Sequence, residues 1–505
     1  MTPVGLKRRI ELADRRRFLQ TAAVAAGGAM LGAPGAGCVT TDRQVQTRKA
    51  LTPRVAIVGG GLSGLVAAWH LRRAGIESTI YDGALRTGGR IHSARDVVAD
   101  GLTTELGAEF IDSNHADILA LAKSFGLELI DSQANDEAGL IREAYFFGGR
   151  LYNEAEIVEQ FRPVAATMAR DFSALGDEID YRNDGGAAEL DRTSLAAYLD
   201  RVAPSGAIRR LLEVAYVSEY GLDTHEQSSL NLLLLIGLDA EERFDVFGES
   251  DERYKIRGGN EQLTTALAQS AGERITLGHR LVAVERLGDT YRLTFDVDGS
   301  GTTDVDADVV LLAVPFTTLR QVDLRVDLPA VKRKAIAELG YGTNAKLFAG
   351  VRTRPWREMG YAGMAFSDEA FQTCWDHTRG QDGPEGGMTM YLGGAAGAGV
   401  GSDTPEQQVR RHLHGVSRVF GGTNAAYNKR AARFHWPTHP WTLGSYSCYR
   451  PGQWTTIGGA EGEPVDNLFF AGEHTSRDFQ GFMNGAAESG RHAARAIAKV
   501  AAGRR

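Results

Sequence analysis

The residues from Arg54 to Asp82 constrain this chain more than any other stretch. Arg54-Val55-Ala56-Ile57-Val58 reads as a short strand buried on both faces, because adjacent apolar residues leave no polar side for water. It runs straight into Gly59-Gly60-Gly61-Leu62-Ser63-Gly64 and an Ala- and Leu-rich helix to Arg73. A second strand, Ser78-Thr79-Ile80-Tyr81, then ends at Asp82. Glycines spaced G-x-G-x-x-G between strand and helix, with an acidic residue about 20 positions on, mark a βαβ unit that binds a dinucleotide. Gly59 is expected to make the turn, Gly61 to let backbone approach a pyrophosphate, and Gly64 to let helix and strand pack closely. The helix start offers unpaired N–H groups and partial positive charge to the phosphates. Asp82 is expected to accept the adenosine ribose hydroxyls. The motif alone leaves FAD and NAD both open.

At 505 residues the chain exceeds what one hydrophobic core usually organises, which predicts two domains. Its 61 glycines follow no collagen period and do not cluster, so they read as turns and close backbone approaches. Three cysteines, one of them near the N-terminus, do not make a disulfide framework. No Cys/His cluster has metal spacing either, so no metal is expected. A formal charge of -8 argues against nucleic acid as a partner.

Residues 1–50 read as an export leader and tether outside the fold. Arg15-Arg16-Arg17-Phe18-Leu19 is a twin-arginine arrangement, followed by a small-residue apolar run from Thr21 to Gly37. Such signals deliver folded proteins to an export machine, which suits a protein that binds its cofactor before crossing a membrane. The expected location is periplasmic or extracellular. Gly35-Ala36-Gly37-Cys38 also has the form of a lipoprotein site, which makes Cys38 a candidate lipid anchor. The alternative is a disordered basic tail. The apolar run is too short and Gly-rich for a stable spanning helix.

Further on, Gly88-Gly89-Arg90 suits a second passage of backbone beside phosphates, with a guanidinium to bridge them. From about 131 to 250 the pattern turns to helices, such as Leu195 to Leu199 and Ile208 to Tyr220. The chain returns to the first domain near Tyr254, with Arg257-Gly258-Gly259 ahead of a helix. Strands follow at Ile275–Leu277, Leu281–Val284, Tyr291–Phe295 and Ala307–Val314. Residues 331–440 mix strands and helices. The last return is Leu468-Phe469-Phe470-Ala471-Gly472-Glu473, read as a strand ending at an acidic residue, and then an Ala-rich helix from Gly485. Ligands of doubly wound sheets sit at such strand ends.

In order and spacing these pieces resemble the flavin-containing amine oxidase family, which includes monoamine, polyamine and L-amino-acid oxidases. The resemblance rests on 59–64, Gly88-Gly89-Arg90, Arg257-Gly258-Gly259, the Lys346 strand, Trp436 to Tyr446, and Ala471-Gly472-Glu473 through Gly490. It implies an α/β architecture: a Rossmann-like FAD-binding domain from segments 51–130, 251–320 and 441–505, and a substrate domain of mixed sheet plus helices from 131–250 and 321–440. The implied reaction is oxidation of an amine to an imine, followed by hydrolysis, with dioxygen reduced to hydrogen peroxide. A homodimer is a candidate assembly.

The resemblance also assigns residues. Lys346 stands where the family lysine holds a water against flavin N5. An ammonium among buried apolar neighbours needs such a reason, because unpaired it is costly; a snorkelling surface lysine is the alternative. Ser445 occupies the position of the cysteine that attaches the flavin in monoamine oxidases, and Cys448 comes three residues late, so FAD is expected to bind non-covalently. Tyr446 and Phe482 are expected as the two aromatic faces that sandwich the amine, aided by cation–π attraction of about 0.5–2 kcal/mol. Glu473 is expected to accept from FAD hydroxyls, with Gly472 beside it. Gly485 opens a helix whose start points at the flavin. Trp441 is a candidate pocket wall.

For the substrate, Gly107-Ala108-Glu109-Phe110 stands where L-amino-acid oxidases close on a carboxylate-gripping arginine. Glu109 in its place disfavours a carboxylate and is able to attract a second ammonium, with Phe110 beside it. Asp112, Glu219 and Asp223 are further candidates for that contact. A primary amine or polyamine is therefore expected, with an L-amino acid held by another arginine, such as Arg379 or Arg450, as the alternative. A non-amine FAD oxidoreductase or a silent flavin-binding protein is a third reading.

Overall fold

The computed structural model describes residues 53–134, 137–241, 243–297 and 299–503. The leader, including Arg15, Arg16 and Cys38, lies outside the described residues.

The dinucleotide stretch folds as its pattern requires. Strand Val55–Val58, helix Leu62–Arg73 and strand Ser78–Tyr81 follow one another, and the two strands pair in parallel from Val55 opposite Ser78 to Val58 opposite Tyr81. They belong to a five-stranded parallel sheet in the order Leu468–Phe470, Val309–Leu312, Val55–Val58, Ser78–Tyr81, Ile275–Thr276. One chain thus contributes to a single sheet from widely separated segments, as parallel pairing demands long crossovers.

Side-chain alternation divides the first strand between two cores. Val55 and Ile57 join a core with helices Leu62–Arg73, Glu261–Ala271 and Met483–Gly503. Ala56 and Val58 face a second core, shared with a four-stranded sheet of residues 279–325. Both faces are covered, which explains why this strand has no polar side. The last helix lies directly on the dinucleotide helix: a Cβ on Gly490 would stand 2.3 Å from the Ser63 carbonyl oxygen.

A seven-stranded mixed sheet forms the other half of the described chain, in the order Tyr427–His435, Ala345–Val351, Gly386–Leu392, Thr373–Asp376, Tyr361–Ser367, Ile141–Phe147, Arg150–Tyr152. Only the pairing of Tyr361–Ser367 with Ile141–Phe147 is parallel. Helices Glu154–Ser173, Leu195–Val202 and Gly206–Tyr220 pack into one core against this sheet through Phe161, Leu199, Leu212 and Phe366. The strand Ala345–Val351 is buried at every position. Its place inside the sheet, paired with a strand on each side, explains the run of apolar residues around Lys346.

Two local expectations differ. The strand at Leu468 stops at Phe470, and Glu473–Thr475 is a short 3-10 turn, because Gly472 at φ 147 turns the chain toward the last helix. That helix begins at Met483 rather than Gly485.

Candidate active site

Gly59 adopts φ 109 and donates its N–H to the Tyr81 carbonyl at 2.8 Å, which closes the turn. A Cβ on Gly64 would lie 2.0 Å from the Gly59 carbonyl oxygen, so only glycine admits this approach of helix and strand. Asp82 locks the loop from the far side: its carboxylate accepts from the Gly60 N–H at 2.6 Å and the Ala84 N–H at 2.7 Å. Burial nevertheless pushes its carboxyl above the usual value, against those hydrogen bonds. Gly88 donates to the Gly60 carbonyl at 2.8 Å, bringing the Gly88-Gly89-Arg90 turn alongside.

Gly59, Asp82, Gly88, Gly89 and Arg90 line a cavity of about 720 Å³. The same cavity is lined by Lys346, Trp375, Tyr391, Tyr446, Phe482, Glu109 and Phe110. Two features fit a dinucleotide there. Around a Cβ built on Gly61, the nearest atom is the Gly89 Cα at 3.9 Å, so the backbone is bare toward the cavity. Both ring nitrogens of buried His474 lack a hydrogen-bond partner while its ring lines the space. Burial lowers His474 to a pKa of about 4, so the ring is neutral.

Arg90 donates from Nη1 to Glu473 at 2.7 Å and to the Ser445 carbonyl at 2.8 Å. The other Glu473 oxygen accepts from the Ser447 hydroxyl at 2.7 Å and the Gly481 N–H at 2.9 Å. Burial alone would raise the Glu473 carboxyl, but the Arg90 guanidinium and the Ser447 hydroxyl oppose it, and the carboxyl lies below its ordinary value. Glu473 thus ties the Gly-Gly-Arg turn to the loop before the last helix. Gly485 takes a different place from the one expected. It does not line the cavity, and a Cβ there would stand 2.0 Å from the Phe479 carbonyl oxygen, so it serves close packing.

The other end is built from side chains. Lys346 is 4% exposed, and its ammonium donates to the carbonyls of Glu105 at 3.2 Å and Gly107 at 2.9 Å and to Glu109 Oε2 at 3.0 Å. Each N–H therefore has a protein acceptor, and none is left for the water expected from the sequence. Lys346 instead presents a fixed charge, 5.2 Å from the Trp375 ring centre. Glu109 lines the cavity, but its carboxylate is engaged by this lysine rather than free for a second ammonium.

Tyr446 donates to the Glu219 carbonyl and shares a 2.9 Å hydroxyl contact with Tyr391. A Cβ on Gly481 would stand 3.5 Å from the Tyr446 ring, and Gly481 leads into Phe482, whose ring lies 5.4 Å from His115. Phe110 packs 5.5 Å from Trp375. Trp441 lines the cavity, as expected of a pocket wall, and its indole fills the space over Gly83, beside Asp82.

Glu219, Glu252 and Asp112 line the same cavity. Burial, with Asp112 next, raises Glu219 to about 7, and burial, with Glu219 next, raises Glu252 to about 8. Asp223 lies outside it, accepting from the Ala395 N–H at 3.2 Å. Sequence reasoning missed Trp375, Tyr391 and Glu252. The only sequence signal for Tyr391 is its strand, Gly386–Leu392; that it stands directly opposite Lys346 is a matter of register.

Both described cysteines, Cys374 and Cys448, are buried, outside the cavity lining, and pushed up in pKa by burial. Ser445 lines the cavity and donates its hydroxyl to Asn344 at 2.5 Å. No described thiol is placed to form a bond to a flavin.

A parallel sheet with a glycine loop, opening on a cavity shared with a buried lysine and aromatic rings, defines a dinucleotide-dependent oxidoreductase. The family model for flavin containing amine oxidoreductases matches residues 62–498, and the chain belongs to that family. A putative flavin-containing monoamine oxidase, AofH, of Mycobacterium tuberculosis is 28% identical over 472 residues, covering 89% of this chain and 97% of that protein. A putrescine oxidase structure bound to putrescine superposes with a TM-score of 0.75 at 20% identity, covering 88% of this chain and 99% of that one. Cyclohexylamine oxidase from Brevibacterium oxydans IH-35A gives the same TM-score at 21% identity, over 89% of this chain and 99% of that one. The protein is an FAD-dependent amine oxidase with non-covalently bound cofactor.

Proposed function

We propose that the substrate is a primary amine or polyamine without a carboxylate. The observation that carries this reading is which titratable side chains wall the cavity. Glu219, Glu252 and Asp112 line it, whereas its lining arginines among the described residues are Arg86, Arg90 and Arg280. Arg90 is already paired with Glu473, and Arg86 donates to the carbonyls of Thr87 and Ile91 beside the glycine turn. Arg379 and Arg450 do not line the cavity, and Arg450 is paired with Glu226. The bidentate grip that a carboxylate favours therefore has no candidate beside Lys346.

FAD held against the glycine loop and the Gly88-Gly89-Arg90 turn would supply a two-electron acceptor for hydride from the carbon next to nitrogen, with dioxygen as the final acceptor, giving hydrogen peroxide. The chain's own groups orient and shield that exchange. Gly59, Gly61, Gly88, Gly89 and Asp82 hold the nucleotide, while Tyr446, Phe482 and Trp375 present apolar faces to the amine. Glu219 and Glu252, which burial keeps protonated up to about 7 and about 8, give up a proton on receiving a second, distal ammonium. The test is a peroxide-coupled screen of monoamines, diamines, polyamines and L-amino acids. Turnover confined to L-amino acids would overturn the reading.

The leader carries a proposal of its own, export as a folded flavoprotein. Fractionation should find the flavin-loaded protein outside the cytoplasm, and Arg15→Lys with Arg16→Lys should retain it inside.

A further inference from the structure

The Tyr254–Ile256 strand stands out because it carries a second buried ammonium that the chemistry so far leaves unused. Lys255 is 7% exposed. Its Nζ donates to the His377 carbonyl at 2.5 Å and lies 3.9 Å from Glu109 Oε1. That oxygen is buried and has no hydrogen-bond partner, while the other oxygen of the same carboxylate holds Lys346. One carboxylate is therefore flanked by two ammonium groups, one lining the cavity and one behind it. The His377 ring, between the hydroxyls of Thr104 and Thr389, is kept neutral by burial and by the nearby cations, so it does not offset Lys255. The arrangement is costly unless it does something, since like charges in a buried site repel.

We propose that Lys255 is a positioning residue for amine oxidation: through Glu109 it fixes the direction of the Lys346 ammonium and sets the electrostatic field on the flavin. Glu109 is then the coupling group of a Lys346–Glu109–Lys255 unit and not a substrate contact. The geometry shows why. A carboxylate held from behind keeps its Oε2 on one N–H of Lys346, and the carbonyls of Glu105 and Gly107 take the other two. The Arg257-Gly258-Gly259 turn that follows Lys255 fixes the strand's exit, and Asn260 beyond it donates its N–H to Glu105 at 2.8 Å. Lys346 is thus held by backbone on one side and by a charged pair on the other. This inference rests on the flavin lying beside Lys346, but not on which amine is oxidised.

The experiment measures the flavin midpoint potential of purified holoenzymes by reductive titration against a reference dye, with no amine present. Lys255→Met removes a positive charge and should lower the potential, because the electron-rich reduced flavin loses a favourable field. Glu109→Gln removes a negative charge and should raise it. Lys255→Arg should restore the wild-type value. Reoxidation by dioxygen in stopped flow should fall about tenfold in Lys255→Met, as expected for residues sharing one charged network. In a Glu109→Gln background the same change should have no further effect. Shifts of one sign in both variants, no shift in either, or additive losses in the double variant would overturn the proposal. Should Lys255→Met fail to load flavin, Lys255→Gln and the Glu109→Gln holoenzyme carry the same signs. Failure of every amine to turn over, with the opposed shifts intact, would count against the substrate reading alone.

Discussion

The two ends of the cavity are made in different ways. The nucleotide end is largely backbone: a glycine loop, a glycine–arginine turn and an aspartate that grips the loop by its N–H groups. The Lys346 end is side chain upon side chain, drawn from a seven-stranded sheet, a long helix and the loop from 105 to 112. Backbone approach tolerates no added atom, so the first end is expected to fail all or nothing. Charged side chains share their load, so the second should fail by degrees and in ways that conditions can tune.

The largest expected effect lies at the nucleotide end. Gly64→Val puts a side chain where a Cβ already stands 2.0 Å from the Gly59 oxygen, and the purified protein should carry no flavin absorbance. A normally loaded variant would break the contrast between the two ends. Next comes Lys346→Met, which should keep its flavin yet lose turnover by roughly 100-fold, within the range for a charged group acting at a reacting centre. Unchanged steady-state peroxide production would remove Lys346 from the chemistry.

A smaller effect is expected at the acidic wall. Glu252→Gln should raise KM for a diamine about tenfold, the equivalent of one charge-assisted hydrogen bond, while KM for a monoamine stays put. Equal changes for both substrates would remove Glu252 from substrate recognition. The smallest effect concerns pH and stability. Burial holds Glu219 and Glu252 protonated to about 7 and about 8 in the folded protein, against an ordinary glutamate value of 4.5 for both. The folded state therefore binds more protons than the unfolded state between about pH 4.5 and 8, and this contribution to stability is lost as pH rises through that window. Melting of the holoenzyme should shift down by a few degrees across it, by less in Glu252→Gln, and a bound diamine should reverse the loss. The same slope in wild type and Glu252→Gln would assign the titration elsewhere.

Legibility in the sequence followed the same division. The helix from Leu62 to Arg73 and the strands on either side of it were readable to within a few residues, because glycine spacing and unbroken apolar runs are local signals. Lys346 was readable as a buried charge in an apolar strand. Its acceptors were not, since the carbonyls of Glu105 and Gly107 lie more than two hundred positions away in the chain. Gly485 was misplaced for a related reason. A glycine at a helix start looks the same in sequence whether it faces a ligand or fills a gap in packing.

Sequence by itself determined that this chain builds a parallel sheet around a dinucleotide and belongs with flavin amine oxidases, because those features rest on neighbours a few residues apart. Only the tertiary structure decided that Glu109 serves two lysines, that Tyr391 stands across from Lys346, and that Asp112, Glu219 and Glu252 share one cavity wall. Strand register and the packing of distant segments set which charges share a buried space, and at short range in a low dielectric those charges set the chemistry.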